Sequence, residues 1–297
     1  MKFGFIGLGR MGFNMVLNAL DHGQQVVVYN RSPEKTQEAA KHGAIPTFSL
    51  PELVSKLPTP KVVWLMTTAG KPVDDMIQQL LPLLNREDII IDGGNSYFQD
   101  SIRRHHELKQ KCIQYLDCGT SGGMEGARYG ACMMIGGEKE TFQKVEELFR
   151  EMSVKDGYGY MGSAGAGHFV KMVHNGIEYG MMGAIAEGVQ AIKDSSLNIN
   201  PHQATKVYAH GSIISSRLVD WLLKSYDTPG YLDRISGEVP RGETEEEMLR
   251  LTKLASMPML KESILMRQAT RQNPNYAGKL LAAMRNQFGG HAVREEK

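Results

Sequence analysis

FGFIGLGRMG, residues 3–12, places Gly7, Gly9 and Gly12 as G-x-G-x-x-G between an apolar run and a helical pattern. Each glycine has a separate task there. Gly7 permits a tight turn, Gly9 lets backbone approach a pyrophosphate, and Gly12 lets helix and strand pack closely. Unpaired N–H groups at the helix start, from Leu8 through Arg10 and Met11, then face the phosphates with a partial positive charge. Working outward, apolar runs at residues 3–6, 25–29, 62–66, 89–92, 115–118 and 132–135 read as strands. Amphipathic segments at 11–22, 32–41, 72–84, 99–111 and 139–152 separate them. Strands alternating with helices imply βαβ units. The expected fold is an α/β Rossmann-type domain over residues 1–162, with a doubly wound, mostly parallel sheet.

The glycine-dense run at 157–167 changes the texture, and no strand is expected after it. Helices are expected at 168–194, 201–226 and 245–272, giving an all-α domain over residues 163–297. The first of these carries few charges, which predicts burial on several sides. Ser32 before Pro33, and Ser49 with Glu52, have helix-capping spacing.

Composition narrows the function class. The 297 residues carry 34 Lys+Arg against 33 Asp+Glu, a formal net charge of +1, which argues against nucleic-acid or membrane binding by bulk charge. Cys112, Cys118 and Cys132 are too few for a disulfide framework and read as buried free thiols. No apolar stretch is long enough to span a bilayer, and the start does not read as a signal peptide. A cytoplasmic globular protein is expected.

The end of the second strand selects the dinucleotide. NAD sites usually place a carboxylate there for the ribose hydroxyls. Here the chain reads Asn30-Arg31-Ser32. A guanidinium and a hydroxyl suit a 2′-phosphate, so NADP is favoured over NAD.

GAGHFVKMVHNGIEYGMM carries Lys171, His174, Asn175, Glu178 and Tyr179, whose spacing puts them on one helix face. Five polar groups on one face of an otherwise apolar helix suggest a site. Lys171 suits a general base if held neutral, and Glu178 an acid if held protonated. His174, Asn175 and Tyr179 would hydrogen-bond a polyhydroxylated substrate. Two further clusters, Asp92-Gly93-Gly94-Asn95-Ser96 and Gly119-Thr120-Ser121-Gly122-Gly123, follow expected strands, where such sheets bind ligands. Arg103-Arg104-His105-His106 reads as one solvated helix face, and Glu245-Glu246-Glu247 as an acidic helix start.

Together GLGRMG, NRS, DGGNS, GTSGG, ARYGACMMIGG, GAGHFVKMVHNGIEYG and RNQFGGH resemble the decarboxylating 6-phosphogluconate dehydrogenases in their short-chain form, within the β-hydroxyacid dehydrogenase group. The resemblance implies metal-independent oxidative decarboxylation of 6-phosphogluconate to ribulose 5-phosphate. Lys171 would be the base and Glu178 the acid. It assigns the sugar acid to Asn95, Ser121, Gly122, Gly123, His174 and Asn175, and its phosphate to Tyr179, Arg267 and Arg285. It places Met66, Thr67, Thr68 and Ala69 beside the cofactor, with Thr67 and Thr68 departing from the long-form pattern. Some short forms use NAD. The tail with Arg285 and His291 would complete a neighbouring subunit's site, although a cationic, glycine-rich tail by itself reads as surface. Where relatives carry a basic residue before Trp-Thr, this chain has Pro240-Arg241-Gly242-Glu243-Thr244. The short helical domain implies a homodimer or homotetramer that buries an apolar face. The rival readings are a dehydrogenase of a small unphosphorylated hydroxy acid and a non-catalytic NADP sensor.

Overall fold

The computed structural model describes residues 1–242 and 244–296. Two compact units divide the chain, Met1–Lys171 and Met172–Lys297.

In the first unit, β1 (Lys2–Ile6), β2 (Gln25–Tyr29), β3 (Ile45–Pro46), β4 (Val62–Leu65), β5 (Ile89–Asp92), β6 (Gln114–Ser121), β7 (Ala131–Gly137) and β8 (Ser153–Gly162) form one sheet. Its order is β3-β2-β1-β4-β5-β6-β7-β8, and every neighbouring pair is parallel except β6 with β7. The connecting helices are α1 (Arg10–Asp21), α2 (Pro33–Lys41), α3 (Leu50–Ser55), α4 (Lys71–Leu80), α5 (Phe98–Lys109), α6 (Gly123–Tyr129) and α7 (Lys139–Met152). Strands β4 (VVWL) and β5 (IIID) are buried throughout, as central parallel strands covered on both faces must be. Successive side chains serve opposite faces. Phe3, Phe5, Trp64, Ile89 and Ile91 pack with Val16 of α1 and Phe149 of α7. Ile6, Val63, Leu65 and Ile90 pack with Leu53 of α3 and Ile77 of α4.

The run GYGYMG, not among the expected strands, is the end of strand β8, pairing Tyr158, Gly159, Tyr160 and Gly162 with β7 through register shifts. Helix α4 stops at Leu80, where a short 3-10 turn begins around Pro82, a residue without an N–H to donate. Ser49 caps α3: its Oγ accepts from Glu52 N at 3.2 Å, while the Glu52 carboxylate accepts from Phe48 N at 2.8 Å. Ser32 occupies the N-cap position of α2 but makes no capping bond with its side chain. Cys118 is buried, but Cys132 is exposed, so the three thiols are not all core residues.

Helix α8 (Ala166–Asp194) contains the division between the units. The second unit adds α9 (Pro201–Ala209), α10 (Arg217–Asp227), α11 (Thr244–Leu254), α12 (Pro258–Ala269) and α13 (Tyr276–Gly289). Two helices expected as continuous are thus split, the latter at Pro258. Helix α13 was not expected. Asn275 starts it by accepting from Gly278 N at 2.8 Å, and Gly290 ends it in the left-handed conformation. Met182, Ala186 and Val189 of α8 pack with Leu222 of α10 and Leu280, Leu281 and Met284 of α13. Gly176 and Gly183 let α8 lie close to Leu260 and Ser263. Helix α8 is buried on several sides but not on all, since Ile177 and Met181 are exposed. No helix among the described residues is long and apolar enough to cross a membrane.

Candidate active site

The order of the sheet reverses between β1 and β4, which is where doubly wound folds bind dinucleotides. Gly7 has φ +104°, and a Cβ there would strike the Met66 carbonyl; one on Gly12 would strike the Gly7 carbonyl. Around Gly9 a Cβ would meet nothing within 4 Å, leaving open space in front of the N-terminus of α1. That first turn holds no acidic residue to oppose an anion. Arg10 is exposed at the mouth of this turn, and Met11 packs inward on the core.

Asn30 is a brace: it accepts from Leu8 N at 2.9 Å and donates to Ser32 O at 3.1 Å, tying the glycine loop to the end of β2. Arg31 and Ser32 are exposed beyond it. After β4, Met66 and Thr67 are half-buried, and Thr68 and Ala69 are exposed. The Thr67 hydroxyl is buried and has no partner among the described residues. These features fit a nicotinamide dinucleotide. The donor set at the end of β2 contains no carboxylate.

The start of α8 is fixed to the sheet by Asp117 on β6. Its buried carboxylate accepts from Gly165 N at 2.7 Å and His168 N at 2.8 Å, and His168 Nδ1 lies 2.7 Å from Ser101 Oγ. A Cβ on Gly119 would overlap Lys171 Cβ and Cγ, so β6 runs directly against the lysine stem. Two residues on, β6 ends at Ser121, and Gly122 and Gly123 turn the chain into α6 with positive φ. Asn95 is exposed after β5, the strand beside β6. Lys171, Asn95 and the Ser121–Gly123 turn therefore belong to the same carboxyl edge of the sheet.

The segment Arg103-Arg104-His105-His106, expected to be a solvated face, is instead split between surface and interior. Arg104 is only 1% exposed and His105 is buried. Arg104 Nε donates to Asp74 at 2.7 Å, Nη1 to Asp92 and Ser96 at 3.2 Å each, and Nη2 to Gly70 O at 3.0 Å. Asp92 also accepts from Tyr115 at 3.0 Å, Ser96 at 2.8 Å and Gly94 N at 3.2 Å. Burial opposes the charge on Arg104, but Asp74, Asp92 and their hydrogen bonds raise its pKa nonetheless. Composition hid this residue, because its acidic partners lie far off in sequence.

In the second unit the same face of α8 carries His174, whose Nδ1 lies 3.3 Å from Asn175 Oδ1, then Glu178 and the buried Tyr179. The Tyr179 hydroxyl is 3.0 Å from Thr244 Oγ1, and the Arg267 guanidinium lies 3.3 Å over its ring. Arg267 is 4% exposed, donates to Met182 Sδ at 3.4 Å, and its Nε has no partner among the described residues. Burial pulls its pKa down to about 10, Tyr179 and Glu178 opposing that fall while the Arg285 charge adds to it.

Arg285 is not surface tail. It is 7% exposed on α13, donates to Pro240 O at 3.0 Å, and burial lowers its pKa too. A Cβ on Gly242 would sit 2.7 Å from Arg285 Nη2, so the guanidinium fills space that a side chain at 242 would occupy. Arg241 points outward and pairs with Glu246 at 3.3 Å. Glu243 lies outside the described residues. His291 follows α13, near Phe288. Glu245 is buried against Arg271 and Gln268 rather than being one of a free acidic row. Among the described residues no carboxylate lies within ion-pair distance of Arg267 or Arg285; Glu178 and, for Arg285, Glu245 act on them only through space.

Comparison with known proteins agrees with this arrangement. Residues 2–162 match the family model described as the NAD binding domain of 6-phosphogluconate dehydrogenase, and residues 167–224 match the model of its C-terminal domain. YqeC of Bacillus subtilis, provisionally assigned as a 6-phosphogluconate dehydrogenase, is 42% identical over 100% of both chains. An NAD(+)-dependent, decarboxylating 6-phosphogluconate dehydrogenase of Haloferax volcanii is 35% identical over 99% of this chain and 98% of its own. The Plasmodium falciparum 6-phosphogluconate dehydrogenase structure superposes with a TM-score of 0.79 at 30% identity, covering 93% of this chain and 66% of that one. Mycobacterium tuberculosis 3-hydroxyisobutyrate dehydrogenase, 21% identical with a TM-score of 0.71, shares the fold. With two full-length relatives above 30% identity and both halves matched in order, the chain belongs to the 6-phosphogluconate dehydrogenase family.

Proposed function

We propose that this chain oxidatively decarboxylates 6-phosphogluconate to ribulose 5-phosphate and carbon dioxide, with NADP as hydride acceptor. The observation that carries the reading is the pair of buried guanidiniums, Arg267 and Arg285, with no carboxylate in direct contact among the described residues, on the unit whose helix α8 bears His174, Asn175, Glu178 and Tyr179 after Lys171. A buried cation without a partner is costly, and a phosphate dianion would relieve both at once. A small unphosphorylated hydroxy acid gives these two arginines no such role.

The cofactor, when bound, accepts hydride from C3 of the sugar acid. Lys171 takes the proton of the C3 hydroxyl, leaving a β-keto acid. The carboxylate leaves as carbon dioxide, its bond electrons pass into the ketone, and Lys171 returns its proton to that oxygen to form an enediol, taking it back as the product ketone forms. Glu178 donates a proton to the carbon that lost the carboxylate, which becomes C1 of the product. His174, Asn175, Asn95 and the Ser121–Gly123 turn hold hydroxyls and the carboxylate. Tyr179, Arg267 and Arg285 hold the phosphate. Gly7 to Gly12 cradle the pyrophosphate, and Arg31 with Ser32 receives the 2′-phosphate.

On this reading residues 1–162 bind the cofactor, and 163–297 bind substrate and associate with a second copy. The exposed apolar residues Ile177, Met181, Ile213 and Ile214 support self-association, which light scattering on a sizing column measures directly. The reaction is tested by absorbance of reduced nicotinamide, with 6-phosphogluconate and either NADP or NAD. Faster reduction with NADP is expected. Faster reduction with NAD, as the Haloferax volcanii relative's name describes for that protein, would keep the reaction and overturn the role of Arg31. Reduction with neither would sink the assignment.

A further inference from the structure

We propose that Arg104 is a positioning residue that bolts the loop after β4 to the loop after β5, holding the cofactor-side residues 66–69 and Asn95 in a fixed relation. The inference rests on the reading above for what the two loops hold, and on geometry alone for the bolt itself. The loop after β4 runs from Met66 to Gly70 and leads into α4, and the loop after β5 runs from Gly93 to Tyr97 and leads into α5. Backbone ties them only at the root, where Gly93 N donates to Leu65 O at 2.8 Å; beyond it no backbone hydrogen bond links residues 66–70 to residues 93–97. One guanidinium does: it donates to Gly70 O and Asp74 on the first side, and to Asp92 and Ser96 on the second.

The planar fork of arginine is needed for this. Its nitrogens point in fixed, divergent directions, and a lysine ammonium is one point that cannot reach both sides. The charges also close on themselves. Asp92 and Asp74 are balanced by Arg104 from within and by Arg103 from outside, at 3.0 Å from Asp74. Asp92 in turn fixes its own loop through Gly94 N and Ser96 Oγ, immediately around Asn95. If the guanidinium is lost, each loop keeps its own turn but their mutual register is released. Hydride transfer depends on the donor and acceptor being placed within a fraction of an ångström, so a loosened register costs turnover more than binding.

The test uses the full chain carrying Arg104→Lys, with Asp74→Asn as a milder variant should the first not fold, and Arg103→Gln as the surface control. Hydrogen–deuterium exchange without ligand should rise together in the peptides covering 66–70 and 93–97. The glycine loop at 7–12 and the turn at 119–123 should stay as in the unmodified chain. With 6-phosphogluconate and cofactor, kcat should fall on the order of tenfold to a hundredfold. The cofactor dissociation constant, measured by calorimetry, should change only a few-fold. Arg103→Gln should leave both readouts unchanged. Unaltered exchange in the two loops of a folded Arg104→Lys protein would overturn the proposal. So would a uniform rise across the unit with kcat preserved, since that pattern describes general stability. If the unmodified chain does not turn over 6-phosphogluconate at all, the reaction assignment fails separately, and the exchange measurement still decides the bolt.

Discussion

Two clusters of buried arginine lie in this chain and obey opposite rules. In the first unit Arg104 meets two carboxylates, a hydroxyl and a carbonyl, and every nitrogen of its guanidinium is used. In the second, Arg267 and Arg285 meet an aromatic ring, a thioether and a carbonyl, with an Nε left over. The first cluster is complete in the protein alone. The second keeps a buried nitrogen, Arg267 Nε, without a partner among the described residues. The difference separates charge that holds a framework from charge that, on the proposed function, receives a phosphate, although burial alone would rank the three arginines together.

The largest expected effect lies on the helix face between the clusters in sequence. Lys171→Met should cut kcat by on the order of a thousandfold while NADP binding, followed by calorimetry, is retained. A protein whose cofactor-dependent output survives that change is not acting by proton abstraction.

Next come substitutions that set the two clusters against each other. Arg104→Met strands Asp92 in the interior and should lower unfolding free energy by about 3–5 kcal/mol, read from urea titration. Arg267→Met removes a charge whose burial cost is only partly offset by Tyr179 and Glu178, so the unliganded protein should lose little stability or gain some. Its KM for 6-phosphogluconate should instead rise about tenfold or more, with the loss of a charge-assisted hydrogen bond. Inorganic phosphate should raise the melting temperature of the unmodified chain by mass action and do so less for Arg267→Met. Equal stability losses for both arginines would erase the distinction.

Acid should weaken the first cluster in a known direction. Burial raises the pKa of Asp74, but the Arg104 and Arg103 hydrogen bonds outweigh it and leave the carboxyl below its usual range. Its stabilisation is therefore full above the ordinary carboxylate pKa and disappears as pH falls through the lowered one. Asp74→Asn should flatten that part of the stability–pH curve.

At the cofactor end the effects are smaller. Arg31→Ala should reduce the preference for NADP over NAD by roughly tenfold, the worth of one guanidinium on an exposed phosphate. Smallest are the two serines with similar sequence signatures. Ser49→Ala should cost about 1 kcal/mol, because its side chain caps α3, and Ser32→Ala should cost almost nothing in stability, because its side chain caps nothing.

That last pair also marks how far the sequence could be read. Spacing found both helix starts but not which hydroxyl would bond, since that depends on φ and ψ at one residue. The dinucleotide loop was legible because its glycines answer steric demands made within ten residues. The polar face of α8 was legible because helical periodicity is local. Strand β8 was not, since Gly157, Gly159 and Gly162 read as a linker and only pairing with β7 makes them sheet. Arg104 was not, since its meaning lies in Asp74 and Asp92 across the sheet edge. Arg285 was half legible: its family motif drew attention to it, while its own surroundings suggested solvent.

Lys171 and Glu178 sit on one uninterrupted helix, α8, with neither proline nor break between them. Seven residues of α-helix make a ruler of roughly 10 Å whose length is set by covalent geometry. Insertions elsewhere change loops, but a single residue added between 171 and 178 would turn Glu178 by about 100° relative to Lys171. The proposed pairing of Lys171 with Glu178 therefore rests on the number of residues between them and not on the length of any loop.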